Sequence, residues 1–426
     1  MKYCVIGKSL PHTLSPAIHG EYFAHYGLDS EYLVQEIPPE NLPNVREILH
    51  DTGGANVTIP YKEQIIPYLD EIVGDAKELG AVNIISRVGD KWIGYNTDTY
   101  GFKALLDANH IEPKGKVCVV LGSGGASKSV EYVLKKMHAK QVYVVSRTPD
   151  IGQIDYSQLA YIEGYLIVNT TPVGMSPNVD ASPVDKDILA HWQVAVDIVY
   201  NPTMTKFLQQ ASSLGLYVAN GLYMLVAQAI KSEQYWQNIK VSKRVVDKIY
   251  RSLKQDFDRQ SGNNIYLIGM MGCGKSTIAK ELANRLGYEA IDSDQNVVTM
   301  QGKSIGQMFE ISEEYFRSAE TKALSEIVTK RGYVVATGGG IIKNPANVAM
   351  MKASGQVVWL DRKIQLIERD CDTTTRPLLK GKSRNISTIF NERKHIYASS
   401  CDFRVTNNSS VKECITKLVK RVGDRV

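Results

Sequence analysis

No apolar run in this 426-residue sequence is long enough to span a bilayer. The opening MKYCVIG starts a strand and lacks the order of a secretory signal, so a cytoplasmic location is expected. Cysteine is scarce. The six (Cys4, Cys118, Cys273, Cys371, Cys401, Cys414) are dispersed and form no CxxC pair, which argues against a disulfide or zinc scaffold and for free thiols in a reducing compartment. Repeats and low-complexity tracts are missing. Neither charge dominates: the net charge is +5, which scattered anion-binding lysines and arginines account for. Neither a nucleic-acid nor a membrane partner is expected.

What is present is ordinary for a soluble globular chain, 43% hydrophobic and 22% charged, and too long for one core. Lys2–Ile6, Glu31–Ile37 and Ala55–Thr58 read as strands, with a helix ending at Tyr26 after the first. Val82–Ser86 and Trp92–Tyr95 read as a hairpin turning at Gly89-Asp90. Asp98–Asn109 reads as a helix capped by Thr97 or Asp98. A second α/β unit starts at Lys116, with strands Val117–Leu121, Gln141–Val145, Leu166–Asn169 and Val194–Ile198 and a helix Lys128–Met137. Leu222–Trp236 and Val241–Leu253 read as closing helices. The polar stretch Lys254–Asn263 has no apolar period and reads as a linker. A third unit runs from Asn264, with strands Ile265–Ile268, Tyr288–Ile291, Tyr333–Ala336, Val357–Leu360 and Phe403–Val405. Asp370–Arg384, interrupted by Pro377 and Gly381, reads as a loop that moves over a nucleotide site.

The strongest motif is Gly269–Thr277, GMMGCGKST, between a strand and a helix. It matches GxxxxGK[ST], with Gly269, Gly274, Lys275 and Ser276 in the fixed positions. Gly272, Cys273 and Thr277 complete a loop whose backbone N–H groups cradle a polyphosphate at a helix N-terminus. Lys275 reaches the terminal phosphates of ATP, and Ser276 can ligate Mg²⁺. Cys273 inside this loop reads as a packing choice, with an oxidation-sensitive thiol as the alternative. Asp292-Ser293-Asp294 follows the next strand. In a strand-like run the two carboxylates share one face, one serving Mg²⁺ and the other an acceptor hydroxyl. Gly338-Gly339-Gly340 clears side chains where backbone must approach a ligand. Arg317, Arg376 and Arg393 would converge on an anionic acceptor and ATP, although each alone reads as a surface arginine.

Upstream, Gly122-Ser123-Gly124-Gly125-Ala126 is a loose dinucleotide loop between strand and helix. The next strand ends in Ser146-Arg147-Thr148 with no acid for a ribose hydroxyl. Arg147 can pair with a 2′-phosphate, so NADP is preferred over NAD. Lys62 and Asp98 come from different segments. Together they could supply the proton that a reduced ketone needs, although either alone reads as a surface charge or a helix cap.

The segments GKSLPHTLSPAIHG, GANVTIPYKE, GAVNII, GYNTDTYG, VLGSGGAS, NTTPVGM, DIVYNPTMT and GLYMLVAQA occur in the order seen in shikimate dehydrogenases, which Met1 to about Asp256 therefore resembles. The resemblance implies reduction of 3-dehydroshikimate with NADP(H). It implies that Thr13 and Ser15 hold the substrate carboxylate, that Thr58, Asn83, Asn96, Asp98 and Gln228 bind ring hydroxyls, that Tyr200 approaches the substrate, and that Lys62 and Asp98 are the catalytic pair. Gly221 joins the NADP site. His12 is adjacent and reads as structural. Two residues depart from the family: Thr13 stands for the usual Ser, and Ser146 for the usual Asn, which bears on the NADP preference.

Downstream, GMMGCGKST, DSD, EYFRSAE, ATGGG, TTRPLL and the ERKHIY segment resemble shikimate kinase from Asn264 to about Val422. This implies that Asp294, Arg317, Gly339, Gly340 and Arg393 bind shikimate, that Ser276 and Asp292 handle Mg²⁺, that Arg376 reaches the phosphates, and that Asp294 also acts as general base. The expected fold is α/β: a split substrate domain (1–101 and 222–256), a Rossmann NADP domain (102–221), a linker (257–263) and a P-loop domain like the nucleoside monophosphate kinases (264–426). The expected function is two consecutive steps of aromatic amino acid biosynthesis, with two domains that work independently; a homodimer is compatible with it. The alternative is a quinate/shikimate oxidoreductase joined to a small-molecule kinase of other specificity.

Overall fold

The computed structural model describes residues 1–10, 13–261, 263–370 and 386–422, and no side chains for 255–261. Among the described residues, sixteen strands form three sheets. Two compact units emerge, Met1–Pro202 with Asn220–Lys254, and Thr203–Ala219 with Gln255–Val426.

The first sheet contains β1 (Lys2–Gly7), β2 (Glu31–Glu36), β3 (Thr52–Val57), β4 (Glu71–Ile72), β5 (Ile84–Val88) and β6 (Lys91–Tyr95), in the order β2-β1-β3-β5-β6-β4. β1 runs parallel to β2 and β3, whereas β5 is antiparallel to both neighbours. The expected hairpin turns at Gly89-Asp90, with Gly89 at φ 61°, as a two-residue loop demands. Ile6, Ala55, Val57, Val82 and Ile85 fill the core beneath this sheet. Each fully buried aliphatic side chain there contributes roughly 1.5–3 kcal/mol.

The second sheet contains β7 (Val117–Leu121), β8 (Gln141–Val145), β9 (Leu166–Asn169), β10 (Val194–Asp197) and β11 (Tyr217–Asn220), in the order β11-β10-β9-β7-β8. The chain leaves β7 toward β8 on one side and then crosses to β9 on the other. That reversal opens a crevice at the C-terminal ends of β7 and β9, the usual ligand position in a doubly wound sheet. The third sheet contains β12 (Asn264–Ile268), β13 (Glu289–Asp292), β14 (Tyr333–Ala336), β15 (Gly355–Asp361) and β16 (Phe403–Thr406), in the order β13-β14-β12-β15-β16, with parallel neighbours throughout.

The polar stretch after Leu253, read as a linker, is largely helical: the helix Lys243–Ser261 runs through it. Polarity removes the apolar period, but Lys254–Ser261 contains no proline or glycine to stop a helix.

Candidate active sites

In the first unit, Asp98 opens the helix Asp98–Ala108, with Thr97 at the N-cap. The Asp98 N–H donates to Asn96 Oδ1 at 3.0 Å, and Asn96 Nδ2 donates to the Ala81 carbonyl at 3.0 Å. Asn83 Nδ2 donates to Asp98 Oδ1 at 2.8 Å while its Oδ1 accepts from Thr97 N at 2.7 Å. Gln228 Oε1 lies 3.5 Å from the same Asn83 amide. Gly101 permits this arrangement. A Cβ there would sit 2.7 Å from the Met224 carbonyl oxygen and 2.8 Å from Gln228 Cβ, so only glycine lets the helix Leu222–Gln237 come this close.

Against this buried carboxylate lies Lys62. Its Nζ donates to Asp98 Oδ2 at 2.6 Å, with the lysine side chain 19% and the aspartate 8% exposed. A charge pair this sheltered interacts more strongly than a surface pair, and Asn83 and Asn96 fix the orientation of its acid. The sequence readings of Lys62, Asp98, Asn83, Asn96 and Gln228 thus meet in one polar cluster. Ser15 starts the helix Ser15–Tyr26, and Thr13 Oγ1 donates to Ser15 Oγ at 3.1 Å. Thr58 follows β3, its N–H bonded to the Ile6 carbonyl at 3.0 Å. Tyr200 lies beyond β10, half-buried, and burial raises its phenol.

The glycine loop faces the same cluster. Gly122 has φ 105°, Gly124 caps the helix Gly125–Lys136, and Ala126 lies in its first turn. A Cβ on Gly125 would lie 4.0 Å from Lys62 Cδ. Lys128, one turn along, pairs with Glu63 at 2.6 Å. Ser146 is buried, with its Oγ 3.1 Å from Ser123 Oγ and accepting from Thr148 N at 3.3 Å. It ties the end of β8 to the glycine loop and leaves Arg147 exposed beside it. Gly221 is the N-cap of the helix Leu222–Gln237.

In the second unit the loop after β12 carries Gly272 at φ 77° and Gly274 at φ 97°, conformations that suit glycine. Lys275 is buried, its Nζ donating to the Gly269 and Met270 carbonyls at 2.8 Å each. Cys273 is also buried, and its carbonyl accepts from Asn407 Nδ2 at 2.8 Å. Thr277 lies in the first turn of the helix Lys275–Leu286. Ser276 Oγ donates to Asp292 Oδ2 at 2.7 Å.

The expectation that Asp292 and Asp294 share the face of a strand does not hold. Asp292 ends β13 and caps the helix Ser293–Gln301, its side chain accepting from Asp294 N at 3.1 Å and Gln295 N at 3.4 Å. Asp292 therefore turns toward Ser276, and Asp294 projects from the first helical turn toward the triple glycine. A side chain on Gly338 would meet Asp294 Oδ1 at 2.6 Å and Glu320 Oε1 at 2.7 Å; one on Gly340 would meet the Arg317 guanidinium at 2.5–2.8 Å. Arg393 is buried and its Nη1 donates to the Gly339 carbonyl at 3.0 Å, as does Tyr397 Oη at 2.5 Å. Asp294, Arg317, Gly339, Gly340 and Arg393 are thus brought together. Arg376 and His12, and 371–384 of the expected lid, lie outside the described residues.

Four residues were missed. Glu320 pairs with Arg317 at 2.8 Å and is almost wholly buried, and burial pushes its carboxyl up to about 7 against the pull of Arg317. Its i,i+3 spacing from Arg317 was the available signal. Tyr397 lies one turn after Arg393. Arg362 donates to the Gly272 carbonyl at 3.3 Å, and Asn407 holds Cys273. Both immediately follow parallel strands, where ligands of such sheets gather.

Two family models match, one for the shikimate dehydrogenase substrate binding domain over residues 5–85 and one for shikimate kinase over 271–423. The shikimate dehydrogenase (NADP(+)) of Clostridium beijerinckii is 38% identical over 266 residues, covering 60% of this chain and 98% of the relative. That of Clostridium perfringens is 41% identical over 59% of this chain and 98% of its own. Among solved structures, the chorismate mutase/shikimate 5-dehydrogenase fusion protein from Clostridium acetobutylicum is 40% identical at a TM-score of 0.58, over 60% of this chain and 97% of that one. Shikimate 5-dehydrogenase from Thermus thermophilus, solved with NADP(H) and shikimate, is 31% identical at a TM-score of 0.54, over 59% and 99%.

Proposed function

Because the chain belongs to the shikimate dehydrogenase family and carries a shikimate kinase domain behind it, we propose that it reduces 3-dehydroshikimate with NADPH and then phosphorylates the resulting shikimate at its 3-hydroxyl with ATP. The observation that carries this reading is the same in both units: a glycine loop between a strand and a helix opens beside a cluster of charged side chains.

We assign the roles residue by residue. Thr13 and Ser15 hold the substrate carboxylate; Thr58, Asn83, Asn96 and Gln228 hold ring hydroxyls, with Tyr200 alongside. Gly122, Ser123, Gly124, Gly125, Ala126, Ser146, Arg147, Thr148 and Gly221 would hold NADPH, which supplies a hydride when bound. That hydride leaves an alkoxide, and Lys62, oriented by Asp98, donates the proton to that oxygen. In the kinase, Asp294, Arg317, Gly339, Gly340 and Arg393 hold shikimate, and Asp294 accepts the proton of its 3-hydroxyl. Gly272 to Thr277 would hold ATP, with Arg376 joining from beyond the described residues. Ser276 and Asp292 present two adjacent oxygens, which fits a Mg²⁺ that takes its other ligands from phosphates and water. Bound there, Mg²⁺ would neutralise charge on the phosphates.

Three sheets support the division into a substrate domain (1–101 and 222–256), an NADP domain (102–221) and a kinase domain (264–426). The free thiols of Cys4, Cys118, Cys273, Cys401 and Cys414 fit a reducing compartment, and we place the protein in the cytoplasm.

Assay of the purified protein separates this reading from its alternative. Dehydroshikimate-dependent NADPH oxidation is expected; quinate-dependent reduction of NAD in its place would favour the other oxidoreductase. The kinase step also carries a pH signature. Glu320, with a carboxyl at about 7, is protonated in the folded chain below that pH and ionised above it. Once ionised, it offsets the charge of Arg317 and adds to that of Asp294. Binding of the anionic acceptor therefore weakens as pH rises, and the KM for shikimate is expected to increase severalfold between pH 6 and 8. Glu320→Gln should flatten that profile.

A further inference from the structure

The carboxylate of Asp75 bridges two helices that begin at the proposed reduction site. Its Oδ2 accepts from Thr99 Oγ1 at 2.6 Å, and its Oδ1 accepts from Tyr132 Oη at 3.0 Å. Thr99 is buried and directly follows Asp98 in the helix Asp98–Ala108. Tyr132 lies on the helix Gly125–Lys136, two turns beyond the glycine loop that opens it. One helix thus carries the carboxylate that orients Lys62, and the other carries the loop assigned to NADPH. Asp75 holds both.

Lys128, Tyr132 and Lys136 are spaced i, i+4, i+8, so they share one face of their helix. Glu63, Asp75 and Glu78 of the proposed substrate domain meet that face. Lys128 pairs with Glu63 at 2.6 Å, and Lys136 lies 3.8 Å from Glu78. All four of these side chains are at least 42% exposed, and water screens such pairs until little is left. The Asp75 bonds are of another kind. Both run from a hydroxyl to a carboxylate oxygen, which is stronger than a bond between neutral groups, and the Thr99 end is buried. A carboxylate is flat and rigid, so two hydroxyls held by its two oxygens keep a fixed separation.

Hydride transfer depends on such a separation. The reacting atoms must approach to about 3–3.5 Å, and a misplacement of about 1 Å can cost about a hundredfold. NADPH would ride on the glycine loop and the substrate on the cluster around Asp98, so the spacing of these two helices sets the distance between them. We propose that Asp75 is a positioning residue for the reduction: through Thr99 and Tyr132 it holds the helix of Asp98 and the helix of the dinucleotide loop at the spacing that hydride transfer requires. This rests on the assignment of Lys62 and Asp98 to that reaction. Asp75, Thr99 and Tyr132 are not among the residues assigned to substrate or coenzyme, so loss of either bond should appear in kcat far more than in KM.

Tyr132→Phe and Thr99→Val each keep the outline of the side chain and remove one hydroxyl. The full chain is assayed by NADPH oxidation, with kcat expressed per NADPH site counted by titration, which removes any unfolded fraction from the rate. In each variant kcat should fall about tenfold, with the KM for NADPH and for dehydroshikimate within about twofold. Both bonds serve one brace, so the double variant should fall no more than about twofold below the slower single variant, and Asp75→Ala should match it. A kcat within about twofold of the parent in either single variant, a loss confined to KM, or losses that multiply in the double variant would overturn the brace and leave Lys62 and Asp98 in place. A parent chain that does not oxidise NADPH with dehydroshikimate would remove the reduction itself, and the proposal with it.

Discussion

Replacing Lys62 with alanine should lower kcat for the reduction about a thousandfold and leave the phosphorylation rate within about twofold of the parent. The size follows from the chemistry. A hydride added to a ketone leaves an alkoxide, and in a sheltered site a positioned acid contributes roughly 10²- to 10⁴-fold. Lys62 is the cation at hydrogen-bond distance from Asp98, beside the first turn after the glycine loop. Removing it does not strand Asp98, which still accepts from Asn83 and whose helix start is still held by Asn96. The variant should therefore fold, and its KM for dehydroshikimate should change far less than kcat. Steady-state NADPH oxidation, with the kinase assay on the same sample, checks this. A Lys62→Ala protein within about tenfold of the parent would remove the residue from proton transfer.

Lys275→Ala should do the reverse, lowering phosphorylation at least about a thousandfold while dehydroshikimate reduction continues unchanged. Phosphoryl transfer is catalysed by position and charge, and this ammonium is the cation that the glycine loop itself provides. Its contacts to the Gly269 and Met270 carbonyls hold it inside the loop, where polyphosphate oxygens can replace those carbonyls. ADP release measured with shikimate as acceptor is the readout. Phosphorylation at even a tenth of the parent rate would refute the assignment of this loop to ATP.

Legibility in the sequence followed the range of the determinant. The glycine loop at Gly269–Ser276 needs only a strand before it and a helix after it, and both are local, so it could be read directly. Leu166–Asn169 and Tyr333–Ala336 match their expected bounds because apolar runs mark them. The Asp292–Asp294 geometry was misread because an aspartate that ends a strand can equally cap the next helix, and the backbone decides which. β11, Tyr217–Asn220, went unnoticed. The Lys62–Asp98 pair is 36 residues apart in the chain, and its parts gained meaning only from the neighbouring motifs. The bridge from Thr99 through Asp75 to Tyr132 left no trace in the sequence, since it depends on three helices packing together.

The most direct test of the two-step assignment is a single reaction with the purified chain, supplied with 3-dehydroshikimate, NADPH, ATP and Mg²⁺. The account predicts shikimate 3-phosphate, with one NADPH oxidised and one ADP released for each molecule formed. NADPH oxidation that stops at unphosphorylated shikimate, or ATP turnover without NADPH oxidation, would contradict it.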